Sequence, residues 1–600
     1  MHHAQATPRF RPRQVNVSVV GWAMLLGVVS LIAGYQRRWM SDDGLIVLRT
    51  VRNIMAGNGP VFNTGERVET NTSTLWQYLI AAGAYISGRD LSVVAFGGAL
   101  FLSVAAIVIG VMATGALFTR GYDTSRIVLP AGVLIYLALP PARDFFTSGL
   151  EWGLSIFYLA VLWALLVWWS RAHGNTHLDA SVVDASVICV AFWSGLSWLV
   201  RPELALYGGM AGIALFMAHR GIAKWSAILA VALPIPLGYQ IFRMGYYGLL
   251  TPHTAVAKSA SGSNYASGWT YAADFVGPYV LWLPVGIVSL VGIALVWTHR
   301  RQGGIRQPAT VVAVLVVCSL LHFFYVVRVG GDFMHGRMLL LPLFAFLLPL
   351  FVLPLRIMGS AVAGVLVSAG LAAWAITVAY RGLPSDWSTF DEGYSVVDER
   401  EFWTYATGRE SGHPPMNEKD YLGALFLGHW EEGLADMAAA DGAMMSRYRI
   451  SEDSEGYAWR VIPREEGRTD PATVYLVNLG MSSANAPLDV RVLDNIGLAT
   501  PLAARQPRLE NARIGHDKNL ERIWQAADSA ADLDQLPDWI DTEGAKAARQ
   551  ALADDQFQRL FATYRAPLTA ERFWKNIVFA LGEGRTLEFS SDPHDYIGPD

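Results

Sequence analysis

The sequence predicts a polytopic α-helical membrane protein with about eleven transmembrane helices, followed by a soluble α/β or α+β domain at the carboxyl end. Hydrophobic residues make up 53% of the 600 positions and charged residues only 16%, which is more apolar surface than soluble domains of that total length need. Apolar runs of bilayer-spanning length, about 20 residues with a range of roughly 17 to 25, recur up to Tyr380. Beyond Tyr380 the composition becomes charged and mixed.

The runs lie near 15–35, 91–118, 125–141, 152–170, 183–200, 204–218, 226–243, 274–298, 309–328, 338–356 and 359–380, of which 125–141 and 204–218 are short. Arg9, Arg11 and Arg13 precede the first run, as they would in a signal peptide. That run is nevertheless long enough to span, and no small-residue cleavage site clearly follows it, so it reads as a retained helix.

Lysine and arginine in short loops orient the chain. The amino-terminal arginines, Arg120 with Arg126, Arg171, Arg220 with Lys224, Arg300 and Arg301 with Arg306, and Arg356 fall on one side, predicted to be cytoplasmic. The opposite loops carry Arg37, Arg38, Arg49, Arg52, Arg201, Lys258, Arg328 and Arg337, interleaved with acids and aromatics. Such an outer surplus of cations is what a site for an anionic headgroup produces. An odd number of spans puts the amino terminus in the cytoplasm and the carboxyl end outside a plasma membrane.

The expected division is therefore 1–380, the transmembrane part, and 381–600, an extracytoplasmic domain of ordinary size. In the latter, Thr473–Asn478 and Leu488–Leu493 read as strands, and stretches near 518–530 and 543–562 read as helices. The two cysteines, Cys189 and Cys318, sit in apolar runs and act as small hydrophobes, so neither zinc nor disulfide chemistry is indicated. The formal net charge of −5 comes from acids gathered at the carboxyl end and implies no nucleic-acid partner.

Charged groups beside a membrane are costly unless paired, hydrated or functional. Here they collect in five outer connections: Asp42-Asp43, Arg143-Asp144 with Glu151, Arg201-Pro202-Glu203, the segment from Tyr246 and Tyr247 to His253 and Lys258, and Arg328 through Asp332 and His335 to Arg337. Ser41 can cap a helix whose first turn holds both Asp42 and Asp43, with Leu45 and Leu48 on an apolar face. Acids there complement the helix dipole, and the same setting keeps carboxylates ready to accept a proton.

Sugar transfer from a lipid phosphate needs a carboxylate to activate the acceptor hydroxyl, and cations to hold the phosphate. Asp42 and Asp43 supply the first; Arg201, His253, Lys258, His335 and Arg337 supply the second. Blander roles stand beside these: Arg201 pairing with Glu203, Lys258 snorkelling to the interface, and Asp332 capping the Gly330-Gly331 turn. Trp387, Trp403 and Trp430 are candidates to stack on sugar rings or to fill a core.

The stretch from Asp42 to Trp76, DDGLIVLRTVRNIMAGNGPVFNTGERVETNTSTLW, resembles the first outer loop of bacterial polyprenyl-phosphate-dependent glycosyltransferases of the GT-C fold. Further matches are Ser148-Gly-Leu-Glu151, Arg201-Pro-Glu203, Tyr246 to Thr254 with Ala257-Lys258, and Gly330-Gly-Asp332 to Arg337. In the carboxyl part, Val490 to Arg505 and Ile514 to Lys518 are similar to the AftB family of mycobacterial and corynebacterial arabinofuranosyltransferases. The chain departs from the wider family at Gly44-Leu45, usually a small-polar and aromatic pair, and at His253, usually Asn.

The resemblance implies transfer of arabinofuranose from decaprenyl-phospho-arabinose to arabinan ends of arabinogalactan and lipoarabinomannan, with terminal β-(1→2) linkages. It also implies a catalytic Asp in the first outer loop, carried to Asp42 or Asp43, and supporting or sugar-binding roles for Glu151, Glu203, Tyr247, Asp332 and Trp387. A β-linked donor giving a β-linked product requires net retention. That calls for a carboxylate nucleophile, the second Asp or Glu151, or for front-face attack assisted by the phosphate. A divalent metal bridging phosphate and Asp fits the chemistry, but no ligand cluster has diagnostic spacing. Alternatives are another polyprenyl-phosphate sugar, such as mannose, or a lipid-linked sugar transporter, for which the expected internal repeat is not found.

Overall fold

The computed structural model describes residues 16–118, 127–172, 183–258, 263–298, 304–357, 359–382, 396–450, 456–509, 512 and 515–597. Trp387, Arg9, Arg11, Arg13, Arg120, Arg126, Arg300, Arg301 and Ile514 lie outside the described residues. Five helices are long and apolar enough to cross a membrane: Val17–Gln36, Leu91–Phe118, Trp152–Arg171, Pro308–Val329 and Ala361–Arg381. Ile222–Ala232 and Pro234–Tyr247 pass the same test together as one span bent by 54°, which raises the number to six. The bend falls at Pro234, which lacks the N–H that would continue the ladder.

Four shorter apolar helices, Ala185–Val200, Pro202–Ala218, Trp282–Leu295 and Arg337–Leu350, occupy other expected runs. Helix length alone therefore supports several spans rather than eleven. The run 125–141 is not a spanning helix. Val128–Pro130 pairs as a short antiparallel strand with Val352–Pro354, and only Gly132–Ala138 is helical before Pro140 and Pro141. Prolines on both sides limit the helix that can form between them.

Leu91–Phe118 packs between Val17–Gln36 and Trp152–Ala172. Small residues permit the approach: a Cβ on Gly153 would lie 2.4 Å from the Ala99 carbonyl oxygen. Met24, Leu25, Val28 and Ile32 of the first helix face outward, as lipid-facing side chains do.

The carboxyl region holds a four-stranded mixed sheet in the spatial order Tyr457–Ile462, Met444–Arg449, Thr473–Tyr475, Arg491–Leu493. The first two strands pair antiparallel and the other neighbours parallel. The two expected strands are present in shortened form, and the expected helices resolve into Arg522–Ala527, Thr542–Ala551 and Asp555–Tyr564. Trp524, Ile540, Phe557 and Leu560 form a core of their own, into which Val68, from the loop after Asp42–Met55, inserts.

That insertion is one of many contacts between the two parts. Leu479–Ala484 packs on Asp42–Met55. Arg49 is fully buried and donates to five carbonyl oxygens: Phe62 at 3.3 Å, Ser483 at 3.1 Å, and Ala486, Pro487 and Val490 at 2.9 Å. Asn63 exchanges hydrogen bonds with the Val492 backbone at 2.8 and 3.1 Å. Glu66 receives Arg491 at 3.1 Å and Arg565 at 2.9 Å.

Candidate active site

A cavity of about 590 Å³ opens where these parts meet, lined by residues of the charged connections and of the carboxyl region. Its first wall is the start of Asp42–Met55. Ser41 caps this helix as its sequence predicts: its Oγ accepts the Gly44 N–H at 2.9 Å and donates to the Ser148 carbonyl at 2.8 Å. Residue 44 is glycine because a Cβ there would meet the Ser148 oxygen at 2.7 Å.

The two acids have different surroundings. Asp42 is 7% exposed, and its Oδ1 accepts the Met481 N–H at 2.6 Å. Burial, and then the neighbouring charge of Asp43, push its carboxyl up to about 7, against the pull of its backbone hydrogen bonds. The Asp43 side chain is 26% exposed, and its Oδ2 accepts Arg337 Nη1 at 3.0 Å. Arg337 also grips Asp332, with Nη2 to Oδ1 at 2.8 Å. Burial works to raise the Asp332 carboxyl, but the guanidinium outweighs it and holds it below the usual range. Gly330 and Gly331, at φ of 96° and 83°, make the turn that presents Asp332.

Opposite, Arg201 is ion-paired with both Glu151 and Glu203, and its guanidinium stacks 4.4 Å from the Trp152 ring. Its pairing with Glu203 and its place in the cavity are thus both realised. Lys258 projects into the cavity and has no ion-pair or hydrogen-bond partner among the described residues. Its side chain is open to solvent, yet desolvation within the cavity, and then the charges of Arg337 and Arg201, lower its pKa, with Asp332 and Asp43 acting in the opposite sense.

Four of the sequence-based candidates do not line this cavity. His253 turns toward the carboxyl region, with Nδ1 3.2 Å from the Leu498 oxygen; burial, then the charge of Arg505, pull its pKa down to about 3 and leave it neutral. His253 and Lys258 are five positions apart, roughly 140° around a helix, so one faces the cavity and the other does not. His335 is held between Tyr279 Oη at 2.9 Å and Asp274 at 2.6 Å, beside a separate small pocket. The Tyr247 hydroxyl donates to the Pro60 oxygen at 2.8 Å, a structural tie. Trp430 is a core residue, packed edge-on against Trp459.

The carboxyl region contributes residues that local sequence reasoning missed: Glu399, Arg508, His516 and Asp517 line the cavity along with the anticipated Trp403. Glu399 Oε1 accepts Trp403 Nε1 at 3.0 Å, while Oε2 is buried without a hydrogen-bond partner among the described residues. Burial and the charge of Asp43 hold its carboxyl well above the ordinary range. Its signal in the sequence is the acid-rich helix start at Asp398-Glu399, with Trp403 one turn on. Among the described residues, no three His, Cys, Asp or Glu side chains group as a metal-ligand set.

The cavity thus combines carboxyl groups in different surroundings, a guanidinium clamp and an ammonium with no partner among the described residues. Such a set can accept a proton and hold an anion. The AftB family C-terminal domain matches residues 423–599. A terminal β-(1→2)-arabinofuranosyltransferase of Corynebacterium glutamicum is 47% identical over 96% of this chain and 87% of its own length. One of the same name from Mycobacterium tuberculosis is 39% identical over 94% of this chain and 93% of its own. No solved structure matches. With similarity to both proteins over nearly its whole length and a match to the AftB carboxyl-domain model, the chain belongs to the AftB family of terminal β-(1→2)-arabinofuranosyltransferases.

Proposed function

We propose that this protein transfers arabinofuranose from decaprenyl-phospho-arabinose to the non-reducing ends of cell-wall arabinan, in arabinogalactan and lipoarabinomannan, making terminal β-(1→2) linkages. The observation that carries the reading is the meeting of Asp43, Arg337, Asp332 and Lys258 in one cavity, in a chain of this family. The acceptor 2-hydroxyl oxygen forms the new bond to the anomeric carbon. The old bond to the phosphate oxygen breaks, and its electron pair leaves with the lipid phosphate. Lys258, Arg337 and Arg201 stabilise that charge.

Asp43, aimed into the cavity from beside Arg337, faces the reacting carbon. In retention by two displacements, an Asp43 oxygen bonds the anomeric carbon as the lipid phosphate leaves. That ester bond then breaks as the acceptor oxygen attacks, its electron pair returning to Asp43. Asp42, with a carboxyl near neutrality, is suited to taking the acceptor proton. Glu151 and Glu203 position Arg201.

The same reading makes the protein a multi-pass plasma-membrane enzyme, the shorter apolar helices crossing with local bilayer thinning. The amino terminus is cytoplasmic. Residues 1–380 form the transmembrane part, and 381–600 an extracytoplasmic domain that engages the acceptor. The proposal is supported by the gathering of the charged outer connections around a single cavity.

The test uses purified full-length protein in vesicles, with decaprenyl-phospho-arabinose and a soluble arabinan oligosaccharide. A new β-(1→2)-linked terminal residue is the expected product. Transfer from decaprenyl-phospho-mannose instead would replace the donor sugar, and movement of lipid across the bilayer without bond formation would replace the enzyme by a transporter.

A further inference from the structure

The helix Ala570–Leu581 has two unlike faces. Inward, Asn576 Nδ2 donates to the Gly245 carbonyl at 2.9 Å and to that of Thr563 at 3.0 Å. The Phe573 ring lies so close to Gly245 that a Cβ there would come within 2.2 Å of it. Gly245 belongs to Pro234–Tyr247, the second half of the bent span. The helix is therefore fastened beside the end of a membrane-crossing segment.

Its outward face carries Trp574, Val578 and Leu581, which are 64%, 72% and 52% exposed. At spacings of four and three these form one stripe. Along one edge of the stripe, Glu571 and Lys575 pair at 2.6 Å. The adjoining span exposes Ile235, Leu237 and Ile241, so apolar surface is present on both packed helices.

We infer that Ala570–Leu581 is an interfacial helix, lying in the outer leaflet with Trp574, Val578 and Leu581 in the acyl boundary and Lys575 at the headgroups. Lipid is the occupant because the stripe sits on a helix packed against a membrane span, and because a tryptophan beside a lysine is suited to the boundary between hydrocarbon and water. The helix thereby sets the height of the carboxyl region over the cavity. This rests on the outer location of residues 381–600 proposed above.

The test needs no substitution. Full-length protein in phosphatidylcholine–phosphatidylglycerol vesicles is photolysed with a diazirine confined to the acyl region, and labelled positions are mapped by mass spectrometry. Trp574, Val578 and Leu581 should label as strongly as Leu25 and Ile32, and severalfold above Arg559 and Glu583, an exposed ion pair of the same region. Labelling of Leu25 and Ile32 that spares the stripe overturns the inference, as does cross-linking of Lys575 between two copies of the chain. The linkage assay, run on the same vesicles, reads the transferase function separately, so either proposal can fail alone.

Discussion

The Met481 backbone N–H donates to Asp42 Oδ1 at 2.6 Å, joining the helix Asp42–Met55 to a helix of the carboxyl region. The fit leaves no room beside it: a Cβ on Gly480 would lie 1.8 Å from the Asp42 carbonyl oxygen and 2.9 Å from Oδ1. Gly480→Ala should lower stability by about 1–3 kcal/mol, as overpacking does, and should reduce transfer with it. Thermal melts and transfer rates of the purified variant measure both, and unchanged values would remove the contact from any account of the site.

Asp42 titrates near 7 in the fold, against a usual 3.8. If it accepts the acceptor proton, kcat/KM rises with pH through about 7 and Asp42→Asn abolishes that limb. Linkage gives an independent sign. The folded carboxyl binds its proton more tightly than the unfolded one, so its contribution to stability is full below the usual value and is lost as pH climbs through about 7. The Asn variant should melt higher than the native protein at slightly alkaline pH, while differing less in acid. A profile identical to the native one would assign the limb to another group.

Lys258 is the cavity cation without a described partner. Its replacement by Met should weaken donor use by roughly 10- to 100-fold in KM, the equivalent of a charged hydrogen bond of about 1.5–3 kcal/mol, with a smaller effect on kcat. Lys258→Arg should recover part of the loss. A fall in kcat alone would argue against phosphate binding.

Burial and the charge of Asp43 push the Glu399 carboxyl well above its ordinary range, toward the neutral form. Glu399→Gln keeps both neutrality and an acceptor for Trp403 Nε1, and should retain most activity. Glu399→Ala leaves that N–H without its partner, at a cost of about 1–3 kcal/mol, and should lose far more. Equal inactivation of both would mean that the site uses the ionised form.

Much of this was legible in the sequence because the signals were local. Ser41 followed by two acids announced a capped helix start, Gly330-Gly331 announced the turn before Asp332, and the apolar runs announced helices. Prolines at 130, 140 and 141 were equally local, and run length alone underweighted them at 125–141. His253 lies off the cavity for a reason of phase. His253 lies close to Lys258 along the chain, yet a short helix turns it away from the cavity. Glu399 and Met481 could not be joined to Asp42 and Asp43 by spacing, since several hundred residues intervene and only tertiary packing brings them together.

Arg49 fastens Asp42–Met55 to the carboxyl region through main-chain oxygens alone. A carbonyl is present whatever the side chain, so the positions that receive Arg49 can change identity without releasing the helix. Divergence among related enzymes can therefore rewrite the surface that meets the glycan while the machinery beneath keeps its alignment, a separation of what is recognised from what reacts.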